Sequence, residues 1–222
     1  MRQKRPTFKY TIEGKDVVVL DDVVSAADHA AMAAAIGDAP CVRQRMSIPG
    51  MEHAKYWTVN YPNATVEALP LHDTIVEHIR AHFPKYDVRL ARGYVNNNSF
   101  GDLLSIHPDS DQPGSLTAVY FVNDTWQTDW GGETMFYRGD EAVACVTPRP
   151  RRLVLFDASI LHRGTPPMRS CYASRLVLAM KFERAALAPR PRTKARRPAA
   201  GTTATRPAAR AQPAGRRSRS RA

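Results

Sequence analysis

The sequence predicts a mainly β protein with flanking helices: two antiparallel sheets closed face to face as a double-stranded β-helix, or jelly roll, with the N-terminal helices packed on one sheet. Three observations predict it. From Asp87 to Phe182, about eight short runs rich in β-branched and aromatic residues are separated by polar or Gly/Pro turns. Two helical patterns precede those runs. In the last run Leu176, Leu178, Met180 and Phe182 share one strand face, whereas Arg175, Val177 and Ala179 share the other. The large apolar row should pack under the helices, leaving the row that begins with Arg175 to face the barrel interior.

The elements follow in order. Val17-Val18-Val19-Leu20 is a short β-branched strand closed by Asp21 and Asp22. Ser25 is a good N-cap for a helix over Ala26 to Ile36, and Gly37 stops it. Residues 41 to 61 hold one or two strands, with a turn at Pro49-Gly50 and aromatic side chains at Tyr56, Trp57 and Tyr61. Leu71, Ile75, Ile79 and Phe83 recur every four residues and form the apolar stripe of a second helix. Asp87 to Asn96 opens the β-rich part. Gly131-Gly132 reads as a bulge or tight turn between sheets.

The chemistry concentrates in Ser105-Ile106-His107-Pro108-Asp109 and in a distant histidine, His162. On an extended strand His107 and Asp109 would project to one face, with Leu104 and Ile106 on the other. One carboxylate and two imidazoles make the facial set that binds a divalent iron and leaves positions open. A rival pair, His78 and His82, has the helical spacing of a zinc site but no third ligand; a solvated helix face accounts for it. Arg175 is a lone cation on an inward face, and burying a bare charge is costly, so it needs an anionic partner.

The order of these segments carries a resemblance. Arg92 to Gly101, His107-Pro108-Asp109, Leu116 to Asp124, Gly131-Gly132-Glu133-Thr134, Pro148 to Asp157, His162 and Ser174 to Phe182 together resemble the Fe(II)/2-oxoglutarate-dependent dioxygenases, in their prolyl-4-hydroxylase-like branch. It covers residues 90 to 182. One departure falls in a turn, where Arg151-Arg152 replaces the glycine of a P-x-x-G-x-L-x-F pattern. The resemblance implies iron(II) on His107, Asp109 and His162, 2-oxoglutarate and O2 as cosubstrates, and ascorbate as a candidate reductant. It also implies a C–H bond hydroxylated with release of succinate and CO2. Arg175 would hold the 5-carboxylate of 2-oxoglutarate, with Arg169 as its competitor for that role. Tyr94 would place a hydroxyl near the cosubstrate or substrate. Phe121 stands where some relatives have a tyrosine, so that hydroxyl is missing here.

Charge divides the chain. It has 222 residues and a net charge of +11, yet 12 of its 32 Lys and Arg, and none of its 21 Asp and Glu, lie from Arg184 to Ala222. The expected division is a dioxygenase domain over 1–183 and a disordered basic Arg/Ala/Pro-rich tail over 184–222. The tail could bind nucleic acid weakly and without sequence preference. Cys41, Cys145 and Cys171 are odd in number, widely spaced and best read as small buried residues of a reducing compartment. With no targeting segment and no long apolar run, the expectation is a cytoplasmic protein that acts on a small-molecule or peptide substrate. The alternative is a non-oxygenase, cupin-like metal-binding protein directed to nucleic acid by the tail. Arg175 divides the two, because a purely structural metal site needs no inward cation.

Overall fold

The structure, a computed structural model, describes residues 5–45, 50, 55–102 and 104–185. Pro49, Leu103 and most of the basic tail, from residue 186, lie outside the described residues. The larger sheet comprises β1 (Phe8–Ile12), β2 (Lys15–Leu20), β3 (Val42–Arg45), β4 (Lys55–Tyr61), β5 (Val88–Asn98), β6 (Leu116–Phe121), β9 (Leu153–Asp157) and β11 (Arg175–Arg184). Its spatial order is β1-β2-β9-β6-β11-β5-β4-β3, every pairing antiparallel. The smaller sheet orders β7 (Thr134–Arg138) between β10 (His162–Gly164) and β8 (Glu141–Val146). Three helices, α1 (Ala26–Gly37), α2 (Asn63–Glu67) and α3 (Pro70–His82), fall between the early strands.

β11 shows why the sequence folds this way. Its Leu178, Met180 and Phe182 pack with Met32 and Ile36 of α1 and with Leu71, Ile75 and Ile79 of α3. Val177 faces the other way, into a second core where Val119, Phe121, Val154 and Phe156 of the larger sheet meet Phe136, Ala144 and Val146 of the smaller. Each fully buried side chain of this size stabilises by about 1.5–3 kcal/mol, so the two rows of β11 hold the helices and the barrel at once. Ser25 caps α1, its hydroxyl accepting from the Asp28 N–H.

Some local features depart from the sequence reading. β1 pairs with β2 along its length, although Phe8 to Ile12 is not among the expected strands. The short α2 is also additional; its Val66 fills the space over Gly93, where a Cβ would lie 2.7 Å from a Val66 methyl. Arg151, at the glycine position of the resembled pattern, adopts φ +61°, so the left-handed turn survives without its glycine. His78 is buried and stacks on His82, with ring centroids 5.8 Å apart, so the pair does not form a solvated face. Among the cysteines only Cys171 is buried, and Cys145 is exposed. No helix among the described residues is long and apolar enough to cross a membrane.

Candidate active site

His107 and Asp109 do not sit on a strand. Around them the chain is irregular and joins the barrel through one isolated bridge, His107 to His162. In that bridge the N–H of each residue donates to the carbonyl of the other at 3.0 Å, and the Asp109 N–H donates to the Ala158 carbonyl at 2.7 Å. Backbone bonds to 158–162, rather than strand parity, therefore bring His107, Asp109 and His162 together. The expected facing of the neighbours changes accordingly. Leu104 lines the same cavity as His107, whereas Ile106 is exposed.

The three side chains offer a coherent donor set. Each Nδ1 lies 2.9 Å from a backbone carbonyl, that of Ser105 for His107 and that of Ile160 for His162. A carbonyl only accepts, so each Nδ1 carries the proton and each Nε2 presents a lone pair. His107 Nε2 is 3.6 Å from Asp109 Oδ1 and His162 Nε2 is 3.3 Å from Asp109 Oδ2. One ligand atom from each residue lies within 4.8 Å of the others, the spread a single divalent ion can bridge. Two neutral imidazoles and an anionic carboxylate fit iron(II).

The charge on Asp109 is secured by partners the sequence reading missed. Thr117 Oγ1 donates to Oδ2 at 2.6 Å, and the Lys181 ammonium also donates to Oδ2. Burial alone would raise the Asp109 pKa; the Lys181 ammonium is the largest opposing influence, and the carboxyl is held well below the usual range. Burial likewise disfavours the Lys181 ammonium, but Asp109 and Tyr94 outweigh it and raise its pKa. Lys181 shares strand parity with Arg175, which was the available signal.

Arg175 lies in the same cavity, of ≈ 60 Å³, as the triad, Tyr94 and Lys181. Its side chain is 2% exposed. Nε donates to the Gly132 carbonyl and Nη2 to Thr134 Oγ1 at 3.0 Å, with the guanidinium over the Phe121 ring. No carboxylate among the described residues pairs with it directly. Burial pulls its pKa down to about 10, against a longer-range opposing effect from Glu133. Arg152, equally buried, makes the contrast: its Nε and Nη2 fork onto Asp21 at 2.6 and 2.9 Å. Two glycines leave room for Arg175, since a Cβ on Gly164 would lie 3.1 Å from Nη1 and one on Gly132 3.1 Å from Cδ. Arg169 is exposed and outside the cavity.

Tyr94 projects from β5 into the cavity between two cations, Arg92 at 5.2 Å and Lys181 at 5.7 Å from its ring centre. Further along β5, Asn96 also lines the cavity, and its Oδ1 has no hydrogen-bond partner. Asn98, the register partner of Arg175, is fully buried with neither amide atom bonded. These buried polar atoms mark the Arg175 end as polar, and only the strand register reveals them.

The comparisons bear on the family and the fold. A family model for the 2OG-Fe(II) oxygenase superfamily matches residues 93–182. Among solved structures, a Pseudomonas putida prolyl-4-hydroxylase is 18% identical with a TM-score of 0.57, covering 77% of this chain and 93% of its own. A Trichoplax adhaerens prolyl hydroxylase in complex with a hypoxia inducible factor peptide is 14% identical, TM-score 0.58, covering 75% and 82%. HygX from Streptomyces hygroscopicus, with nickel and 2-oxoglutarate bound, is 13% identical, TM-score 0.56, also covering 75% and 82%. No curated protein sequence matches the chain. The match over 93–182, from β5 through the H-x-D segment to β11, makes this part of the chain an iron(II)- and 2-oxoglutarate-dependent oxygenase, in a fold that prolyl hydroxylases share.

Proposed function

We propose that this oxygenase hydroxylates a C–H bond in a prolyl-type protein residue or a small amino-acid-like molecule, with iron held by His107, Asp109 and His162. The observation that carries the reading is Arg175: a buried guanidinium without a carboxylate of its own, in one cavity with a two-histidine, one-carboxylate set. Arg175 would anchor the 5-carboxylate of 2-oxoglutarate through its free guanidinium edge, the fork geometry that suits a carboxylate. Bound iron supplies oxygen activation coupled to decarboxylation of 2-oxoglutarate to succinate and CO2.

The remaining work belongs to the chain. Ser105 and Ile160 carbonyls orient the imidazoles, and Lys181 and Thr117 fix Oδ2 of Asp109. Tyr94 lines the wall beside them and would contact the cosubstrate or substrate. The prolyl and peptide part of the proposal draws on the hydroxylases of similar fold. The division into a catalytic part over 1–183 and a tail over 184–222, and weak binding of nucleic acid by that tail, are separate proposals resting on composition and charge alone.

The test is succinate formation with iron(II), 2-oxoglutarate and O2, paired with a mass-shift screen of peptides and amino acids for a gain of one oxygen. His107→Ala and Asp109→Ala should abolish succinate while leaving the thermal unfolding transition in place. Near-native turnover by either variant would refute the metal assignment.

A further inference from the structure

A larger cleft, ≈ 600 Å³, lies at the end of β11 opposite Arg175 and reaches the candidate centre through Asp109 and Lys181, which line both cavities. Its volume falls in the range of small-molecule sites, about 300–1,000 Å³. Three cations line it: Arg92, Lys181 and Arg184. Arg92 and Lys181 are register partners on adjacent strands, so their side chains leave the sheet on the same face. The two acids on its wall are already engaged, Asp109 by Lys181 and Glu183 by Arg89 at 2.7 Å. Arg92 is stacked on Tyr94 and Arg184 runs past Gly114; among the described residues neither has a carboxylate partner. The cleft therefore holds two uncommitted guanidinium groups beside the metal-ligand candidate Asp109.

We infer that this cleft is the substrate site and that it selects an anionic small molecule, whose carboxylate or phosphate is held by Arg92 and Arg184 while the body of the molecule extends past Lys181 toward the triad. The inference rests on the oxygenase reading and adds the substrate's charge to it. Carboxylate and phosphate share the chemistry a guanidinium recognises. Lys181, committed to Asp109, orients the metal ligand and excludes a second cation from the inner end. Arg175 serves the cosubstrate end; six residues of strand separate its Cα from that of Lys181, about 20 Å.

The experiment measures binding, not turnover. The full-length protein is loaded with manganese(II) and saturating 2-oxoglutarate, which occupies Arg175. Dissociation constants are then measured by ligand-observed NMR for N-acetyl-proline against N-acetyl-prolinamide, and for N-acetyl-phosphoserine against N-acetyl-serine. In at least one arm the anion should bind about tenfold more tightly than its neutral counterpart, as charge-assisted contacts predict. The stronger arm identifies the anion. Arg92→Gln or Arg184→Gln alone should reduce the preference about threefold. The double variant should bring it within about twofold of unity, with 2-oxoglutarate affinity unchanged as the control for folding. Equal binding of acid and neutral form in both arms, including binding of neither, overturns the inference, as does a preference that survives the double substitution. Succinate formation by the iron-loaded wild type is scored separately. Succinate without anion preference refutes the cleft alone, whereas no succinate refutes the oxygenase reading beneath it.

Discussion

Asp109 divides its two oxygens between two tasks. Oδ1 faces His107, whereas Oδ2 faces His162 and also takes Thr117 and Lys181. Metal binding needs the carboxylate ionised, so whatever lowers its pKa widens the pH range in which metal stays bound. Lys181→Met removes the largest opposing influence and leaves burial to raise the Asp109 pKa. The pH at which manganese(II) is released should therefore move upward in the variant, while Lys181→Arg, which keeps the charge, should move it less. An unchanged release profile across a pH series would show that Lys181 does not govern the ligand. The grouping of His107, Asp109, His162 and Arg175 around one cavity was legible because each is a rare residue type in a telling place. Lys181 was legible only in principle, through its parity with Arg175, since a lysine near a strand end ordinarily reads as solvated. Arg92, Asn96 and Asn98 acquire meaning only once β5 is set against β11, a pairing with residues 77 to 89 further along the chain.

At the scale of elements, the seam between β2 and β9 shows how a buried charge is held when it has a partner. Arg152 forks onto Asp21 just beyond the end of β2 and also donates to the Thr147 carbonyl at 2.9 Å. The hydrogen bond to Arg152 is the main cause holding the Asp21 pKa below its ordinary 3.8. The depressed value means the pair's stabilisation is complete above the unfolded pKa and is lost as pH falls through the folded one. Arg152→Met should cost about 3 kcal/mol in urea unfolding at neutral pH, the low end for a broken buried pair because the Asp21 side chain is 24% exposed. The difference from wild type should shrink under strongly acidic conditions; a pH-independent difference would assign the loss to packing. Helix α3 and the faces of β11 were readable from periodicity, because each buries one face against a single layer, whereas α1 was readable from its Ser25 cap and Gly37 stop. β1 also alternates, Phe8 and Tyr10 against Lys9 and Thr11, but beside a basic N-terminus that pattern is short and weak. The H-x-D segment misled by parity, because it meets the first residue of β10 in a single bridge and otherwise bonds to the turn at Ala158, instead of running along a neighbouring strand.

For the whole molecule, the two cores and the tail make different demands. The helix-side core and the inter-sheet core are closed by residues before 186. Ala185 still donates its N–H to Asp87. A chain ending at Ala185 should thus keep the unfolding midpoint and the succinate turnover of the full-length protein. The removed segment carries 11 of the 12 basic residues counted from Arg184 onward. With no aromatic among them, any association with nucleic acid should be through phosphate, should fall steeply with salt and should vanish on truncation. Loss of turnover in the truncated chain would place the boundary elsewhere. Full-length protein that ignores nucleic acid at low salt would dismiss that role for the tail.

The central claim is that one barrel cavity holds a metal triad at one end and a carboxylate anchor, Arg175, at the other. Calorimetric titration of 2-oxoglutarate into the manganese-loaded protein tests it most directly. Removing one partner of a buried charge pair costs about 3–5 kcal/mol, so Arg175→Leu should weaken 2-oxoglutarate at least about a hundredfold with manganese affinity retained. Arg169→Ala should bind it like wild type. Equal losses in both variants, or a loss in Arg169→Ala alone, would contradict the account.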